Sequence, residues 1–172
     1  LAGNTAVQTQ AEQGSTALAN SVQADGALQG SAVQVVGNQG SARGAGRDGL
    51  ANSVRAQGRG RMAGSNVTVT ANQGNAQQGV ANSVDVAGTL QGGSITILGN
   101  QGSARDGGTV NSVVGNGRIS GGQITIVGNT GSAYAGLANS VRADGNVTAS
   151  NITILGNQAS AQGDGSKVKS VS

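Results

Sequence analysis

The sequence predicts an all-β fold: a parallel β-solenoid of about six coils, each of about 28 residues, without capping elements. Three observations carry that prediction. An eleven-residue segment recurs five times, as AVQVVGNQGSA, NVTVTANQGNA, SITILGNQGSA, QITIVGNTGSA and NITILGNQASA. Within it apolar residues fall at every second position, the period of a strand. Identical residues also return after one coil's length, which is what parallel in-register stacking needs.

The repeats form a single domain over residues 1–172, with coil boundaries near 6, 32, 66, 94, 123 and 151. A worn copy opens the chain, where Val7 and Thr9 precede Ala11-Glu12-Gln13-Gly14. The shared Asn falls at Asn38, Asn72, Asn100, Asn129 and Asn157, so the copies lie 34, 28, 29 and 28 residues apart. Each of these side chains can hydrogen-bond to its equivalents one coil above and below, so the column is expected to form an assembly ladder.

Two residues apart in each segment stand the columns Val33, Val67, Ile95, Ile124, Ile152 and Val35, Val69, Ile97, Ile126, Ile154. The second of these is the expected stacked core. A second word, Asn-Ser-Val, begins at Asn20, Asn52, Asn82, Asn111 and Asn139, and supplies the column Val22, Val54, Val84, Val113, Val141 and Val171. A fourth column is Leu28, Met62, Leu90, Ile119 and Val147. Between the last two columns sit Asp25-Gly26, Gln57-Gly58, Asn116-Gly117 and Asp144-Gly145, dipeptides that favour turns through their tolerance of positive φ. One unit therefore reads as about three short strands, with Ala42, Ala76, Ala104, Ala133 and Ala161 suited to a narrow corner.

Composition agrees with a thin, layered core. Gly, Asn, Gln, Ser and Thr number 32, 16, 16, 18 and 12, together 94 of 172 residues, so burial must come from repetition rather than large side chains. Cys, His, Pro, Trp and Phe are absent, and Tyr134 and Met62 are single. That excludes a disulfide framework, the usual zinc and copper sites, thiol nucleophiles and His-based catalysis. No apolar run approaches the roughly 20 residues of a membrane span. The Gly-rich corners are not phosphate loops, because no Lys follows them, and the calcium repeats of other solenoids are missing. Neither an enzyme, a cofactor, a metal site nor membrane insertion is expected.

The two ends match in phase. The chain closes at Val171, just past the Asn-Ser-Val column, and opens at Leu1-Ala2, near the fourth column. The expectation is a head-to-tail homopolymer through open coils; the alternatives are a fragment of a larger repeat adhesin and a glycan- or ice-binding module. Only Thr68 and Thr70 form the Thr-x-Thr pair that ice binding would repeat.

With these columns in place, the sequence resembles the secreted fibre subunits of bacterial functional amyloids, of the curli and pseudomonad types. Ser94 stands six positions before Asn100, with Gly102 and Ala104 following, and Asn66, Gln123 and Asn151 hold the position of Ser94 in other copies. The unit is longer than a curli repeat and lacks its closing Gln and its aromatic residues. The resemblance implies a subunit exported with its signal peptide removed, polymerising outside the cell as biofilm matrix or attachment filament. Leu1 in place of an initiating Met fits that expectation.

Ten basic and seven acidic residues leave a net charge of +3, too little to imply nucleic-acid binding on its own. Arg43, Arg47, Arg55, Arg59 and Arg61 nevertheless cluster in the longest coil, with Asp48 the one acid nearby. This cluster is a candidate contact for anionic polysaccharide or extracellular DNA; its alternative is a solvated loop. Asp25 and Asp144 read as turn residues, and no pair of carboxylates is spaced for acid–base work.

Overall fold

The computed structural model describes residues 5–8, 18–24, 26–43, 50–56, 61–77, 79–106, 109–135, 137–148, 150–164, 167–168 and 171. It is a β-solenoid in which each coil passes through five short strands, and every strand pair is parallel. The first sheet stacks Ala32–Val36, Asn66–Thr70, Ser94–Leu98, Gln123–Val127 and Asn151–Leu155. The second stacks Thr5–Gln8, Gln39–Arg43, Gln73–Gln77, Gln101–Arg105, Thr130–Tyr134 and Gln158–Gln162. Two-residue strands, among them Leu50–Ala51, Val80–Ala81 and Leu137–Ala138, make the third. Val54–Ala56, Val84–Val86, Val113–Gly115 and Val141–Ala143 belong to the fourth, and Met62–Ala63, Leu90–Gln91 and Ile119–Ser120 to the fifth.

From Ala32 onward register follows the sequence columns, whereas the opening copy departs from its expected place: Thr5–Gln8 pairs with Gln39–Arg43 of the second sheet, so Val7 lies opposite Ser41 and not in the Val33 or Val35 column. Val67 pairs with Val33 and Ile95, and Ile126 with Ile97 and Ile154. The coil that begins at Ala32 is six residues longer than the one that begins at Asn66, yet the pairing does not slip. Its extra residues fall within 44–49 and 57–60, outside the described residues.

Three expectations are corrected. The described chain makes four complete coils, starting at Ala32, Asn66, Ser94 and Gln123, with an incomplete coil at each extreme, rather than six. Each coil holds five strands rather than three, because two-residue strands are too short to show a period of two and the Gln-Gly-Ser-Ala segment lacks the β-branched residues that mark a strand. The Ala42, Ala76, Ala104, Ala133 and Ala161 column therefore stacks inside the second sheet and not at a corner.

Side chains from four sequence columns meet in one core between the first sheet and the fourth and fifth. Val35, Val69, Ile97, Ile126, Val54, Val84, Val113, Leu90 and Ile119 are fully buried or nearly so. Alternation along the inner strands of the first sheet sends the Ile and Val of the second and fourth positions inward and the Asn, Ser, Gln and Thr of the first and third outward. A second, smaller core lies between the second and third sheets and holds Ala51, Ala81, Val110, Ala133 and Ala138. Small residues are needed there because the Gly column of the second sheet brings the two backbones close together.

Corners are made by left-handed residues at other places than the sequence led us to expect. Gly37, Gly99, Gly128 and Gly156, which precede the shared Asn, have φ of 62–64°. The Asn residues of Asn-Ser-Val do the same at the other bend, with φ of 48–49°, since Asn is among the few residues that enter this region at low cost. Gly117 and Gly145 do not have positive φ; they are needed for space, a Cβ on Gly117 falling 2.7 Å from the Gly88 carbonyl oxygen. Ala71 stands where the other copies have Gly and adopts φ 54°. Ala71→Gly is expected to stabilise the fold by about 0.5–1 kcal/mol, because relief of the left-handed strain outweighs the added freedom of the unfolded chain. Chemical denaturation of the two proteins would measure it.

Candidate functional site: the stacked polar ladders

Two columns of buried Asn run through the solenoid. Asn38, Asn72, Asn100, Asn129 and Asn157 lie at the bend between the first and second sheets, all buried. Each Nδ2 donates to the Oδ1 of the Asn in the following coil, at 3.1, 3.0, 3.0 and 2.9 Å. The same Oδ1 accepts the backbone N–H of the preceding Asn at 2.9 Å in every step. The other Nδ2 proton goes back to a first-sheet carbonyl, from Asn72 to Val35, Asn100 to Val69, Asn129 to Ile97 and Asn157 to Ile126. An inner rung such as Asn100 thus uses both donors and both acceptor sites of its carboxamide, so burial carries no desolvation penalty left unmet.

The second ladder is built from the Asn-Ser-Val word, whose recurrence in sequence does not say which way its Asn points. Asn52, Asn82 and Asn111 donate to the next Asn Oδ1 at 3.1 Å. Their second protons reach the carbonyls of Gln73, Gln101 and Thr130 in the second sheet. The left-handed backbone turns the carboxamide into the space between the two cores, and the two ladders run in the same direction along the axis.

A hydroxyl ladder runs beside it with the opposite sense. Ser53, Ser83 and Ser112 donate to the carbonyls of Ala51, Ala81 and Val110, while each Oγ accepts the backbone N–H of the next Ser at 2.9–3.1 Å.

Gly makes this packing possible. A Cβ on Gly74 would lie 2.5 Å from Asn82 Oδ1, and one on Gly102 would lie 2.5 Å from Val110 Cγ2 and 2.9 Å from Asn82 Nδ2. Where the column changes to Ala159, the Asn of the following Asn-Ser-Val is replaced by Lys169, so the two departures occur together. Gly102→Ala is expected to cost about 1–3 kcal/mol by overpacking the second ladder. Ala159→Gly, in the corresponding stability measurement, changes far less.

Of the basic cluster, the side chains of Arg55 and Arg61 fall among the described residues. Arg55 is 5% exposed, and its Nε donates to Asp85 Oδ2 at 2.9 Å. Asp85 is thirty residues away in sequence but directly opposite Arg55 in register, so this acid comes from the next coil. Arg61 is exposed and hydrogen-bonds to Gln91 Oε1. Arg47 and Arg59 lie outside the described residues, as does the side chain of Arg43. Arg55 is thus held in an ion pair within the stack.

Among the described residues no group of three or more His, Cys, Asp or Glu converges as a metal site, and no helix is long and apolar enough to cross a membrane. The second sheet carries two shallow grooves, one beside Arg105, Tyr134 and Gln162 and one beside Gln73, Asn75 and Ser103. The arrangement defines a β-solenoid held by stacked side-chain ladders. Comparison with protein-family models, with curated proteins and with solved structures finds no match.

Proposed function

We propose that the chain is a structural subunit of an extracellular self-assembling fibre, growing head to tail by adding coil upon coil. The observation that supports this most directly is the repetition of one bonding set at every step: Asn carboxamide to Asn carboxamide, with Ile or Val stacked beside it. Each rung of the first ladder offers the following coil what it receives from the preceding one, so a second copy in register would continue that ladder and the core. The direction of the ladders adds selectivity. In both Asn ladders the Nδ2–H bonds between rungs point toward the C-terminal coil, and in the Ser ladder the N–H bonds point the other way; head-to-tail stacking keeps each of these senses, whereas inverted stacking of like ends does not.

At the C-terminal extreme Ile152 and Ile154 are only half-buried, whereas Ile95, Ile97, Ile124 and Ile126 are fully covered. A further coil would remove that apolar surface from water at roughly 25 cal/mol per Å². The biofilm-matrix or attachment role and the extracellular location follow from the resemblance to functional-amyloid subunits. A polyanionic partner, polysaccharide or DNA, would have to be met by residues other than Arg55.

Negative-stain imaging and sedimentation over a concentration series test the proposal. Filaments that appear above a threshold concentration and grow faster from sheared seeds are the expected result. A monodisperse monomer at all concentrations would overturn it.

A further inference from the structure

The outward side of the first sheet is a regular surface of five strands, and its outward positions carry no charge. Each of its five strands presents three outward positions, fifteen in all, and none is Asp, Glu, Lys or Arg. The charged side chains that are exposed, such as Arg61, Arg105, Arg118 and Arg142–Asp144, stand on other strands and turns. The middle outward column is Thr in four of five coils, from Thr68 through Thr96 and Thr125 to Thr153. Beside it runs an apolar column that includes Leu98, 43% exposed, and Leu155, 65% exposed.

High β-propensity, little charge, no Pro and few Gly are what dry, interdigitated sheet-to-sheet contacts require. We propose that this face pairs with the same face of a second copy, as a lateral contact between solenoids distinct from end-to-end growth. Commensurability argues for this partner. Thr and Leu rows recur with the coil spacing, about 4.8 Å, and the same face of another copy presents the same rows at the same spacing. Twofold pairing sets the middle column against the middle column whether the two axes run parallel or antiparallel, so Thr96, at the centre of the face, meets its own equivalent.

Area sets the strength of the contact. Five residues by five rungs, at about 3.3 and 4.8 Å, cover roughly 400 Å² per copy. Two such faces bury about 800 Å², below the roughly 1,200 Å² of a stable standard interface. An isolated pair is therefore weak, while filaments gain the contact again with every subunit. In its filament form the inference rests on the fibre proposed above; in solution it does not.

The chain has no Cys, so a single introduced thiol reports on proximity. Thr96→Cys treated with a short bis-maleimide at high concentration is expected to give covalent dimer faster than Asn116→Cys, on an exposed turn, by on the order of tenfold or more. Equal rates would overturn the inference, whether or not filaments form. Retention on microcrystalline cellulose that Thr96→Lys abolishes, without preferential cross-linking, would assign the face to a polysaccharide surface and overturn it too. For filaments, wild type is expected to show paired strands and Leu98→Lys single ones of unchanged length. Wild-type filaments that never pair, or variant filaments that stay paired, would contradict lateral pairing. Absence of filaments from the wild type would sink the fibre and leave the cross-linking result to decide pairing.

Discussion

Ile97→Lys is expected to abolish assembly and to remove most of the stability of the central coils. Ile97 is fully buried, with Val69 and Ile126 in register on either side. A lysine there must either bury an ammonium among aliphatic side chains or force the strand out of the stack. Transfer of an unpaired charge into such surroundings costs far more than loss of packing, and substitutions of this kind lie in the range above about 4 kcal/mol. Ile97→Val, by comparison, should cost about 0.5–1.5 kcal/mol. Thr96→Lys, one residue away on the outward side, is the sharpest control, because a surface change lies within about 0.5 kcal/mol. Urea unfolding of the three variants separates the cases. Equal losses at positions 96 and 97 would mean that the strand does not face the core as described.

The second large effect is expected at the ladder. Asn100→Ala removes four buried hydrogen bonds at once, those from the Asn72 N–H and Nδ2 and those to the Val69 carbonyl and the Asn129 Oδ1, although Asn129 Oδ1 keeps the backbone N–H of residue 100 and Asn72 Nδ2 keeps Val35. Each unsatisfied group costs about 1–3 kcal/mol. Relaxation and water entry reduce the sum, and about 3–6 kcal/mol is expected. Asn116→Ala, on an exposed turn, leaves stability within about 0.5 kcal/mol. Thermal or denaturant unfolding reads the difference, and a small effect at Asn100 would show that the ladder is not a main support of the stack.

The parts of the fold that were legible in sequence are those with a strong period. Ile and Val at every second position mark the first sheet, and their return after one coil fixes the register of Val67 on Val33 and of Ile126 on Ile97. The shared Asn column was legible for the same reason. The second sheet was not, since Gln, Gly, Ser and Ala carry little strand preference, and its Gly residues read as corners. Asn52, Asn82 and Asn111 recur as regularly as Asn100, but only the left-handed backbone turns them inward. Arg55 reads as a free cation in any local window; its partner Asp85 becomes a neighbour only when the coil closes. One-dimensional spacing conveys which residues stack, and says less about which side of the strand, or which adjoining coil, they touch.

Diffraction from aligned filaments of the whole chain tests most directly whether the solenoid continues from one molecule to the next. Unbroken stacking predicts a meridional reflection at about 4.8 Å and an axial subunit repeat of roughly 24–29 Å, the height of five to six rungs. Filaments with the 4.8 Å spacing perpendicular to their axis, or a chain that stays monomeric at every concentration, would contradict it.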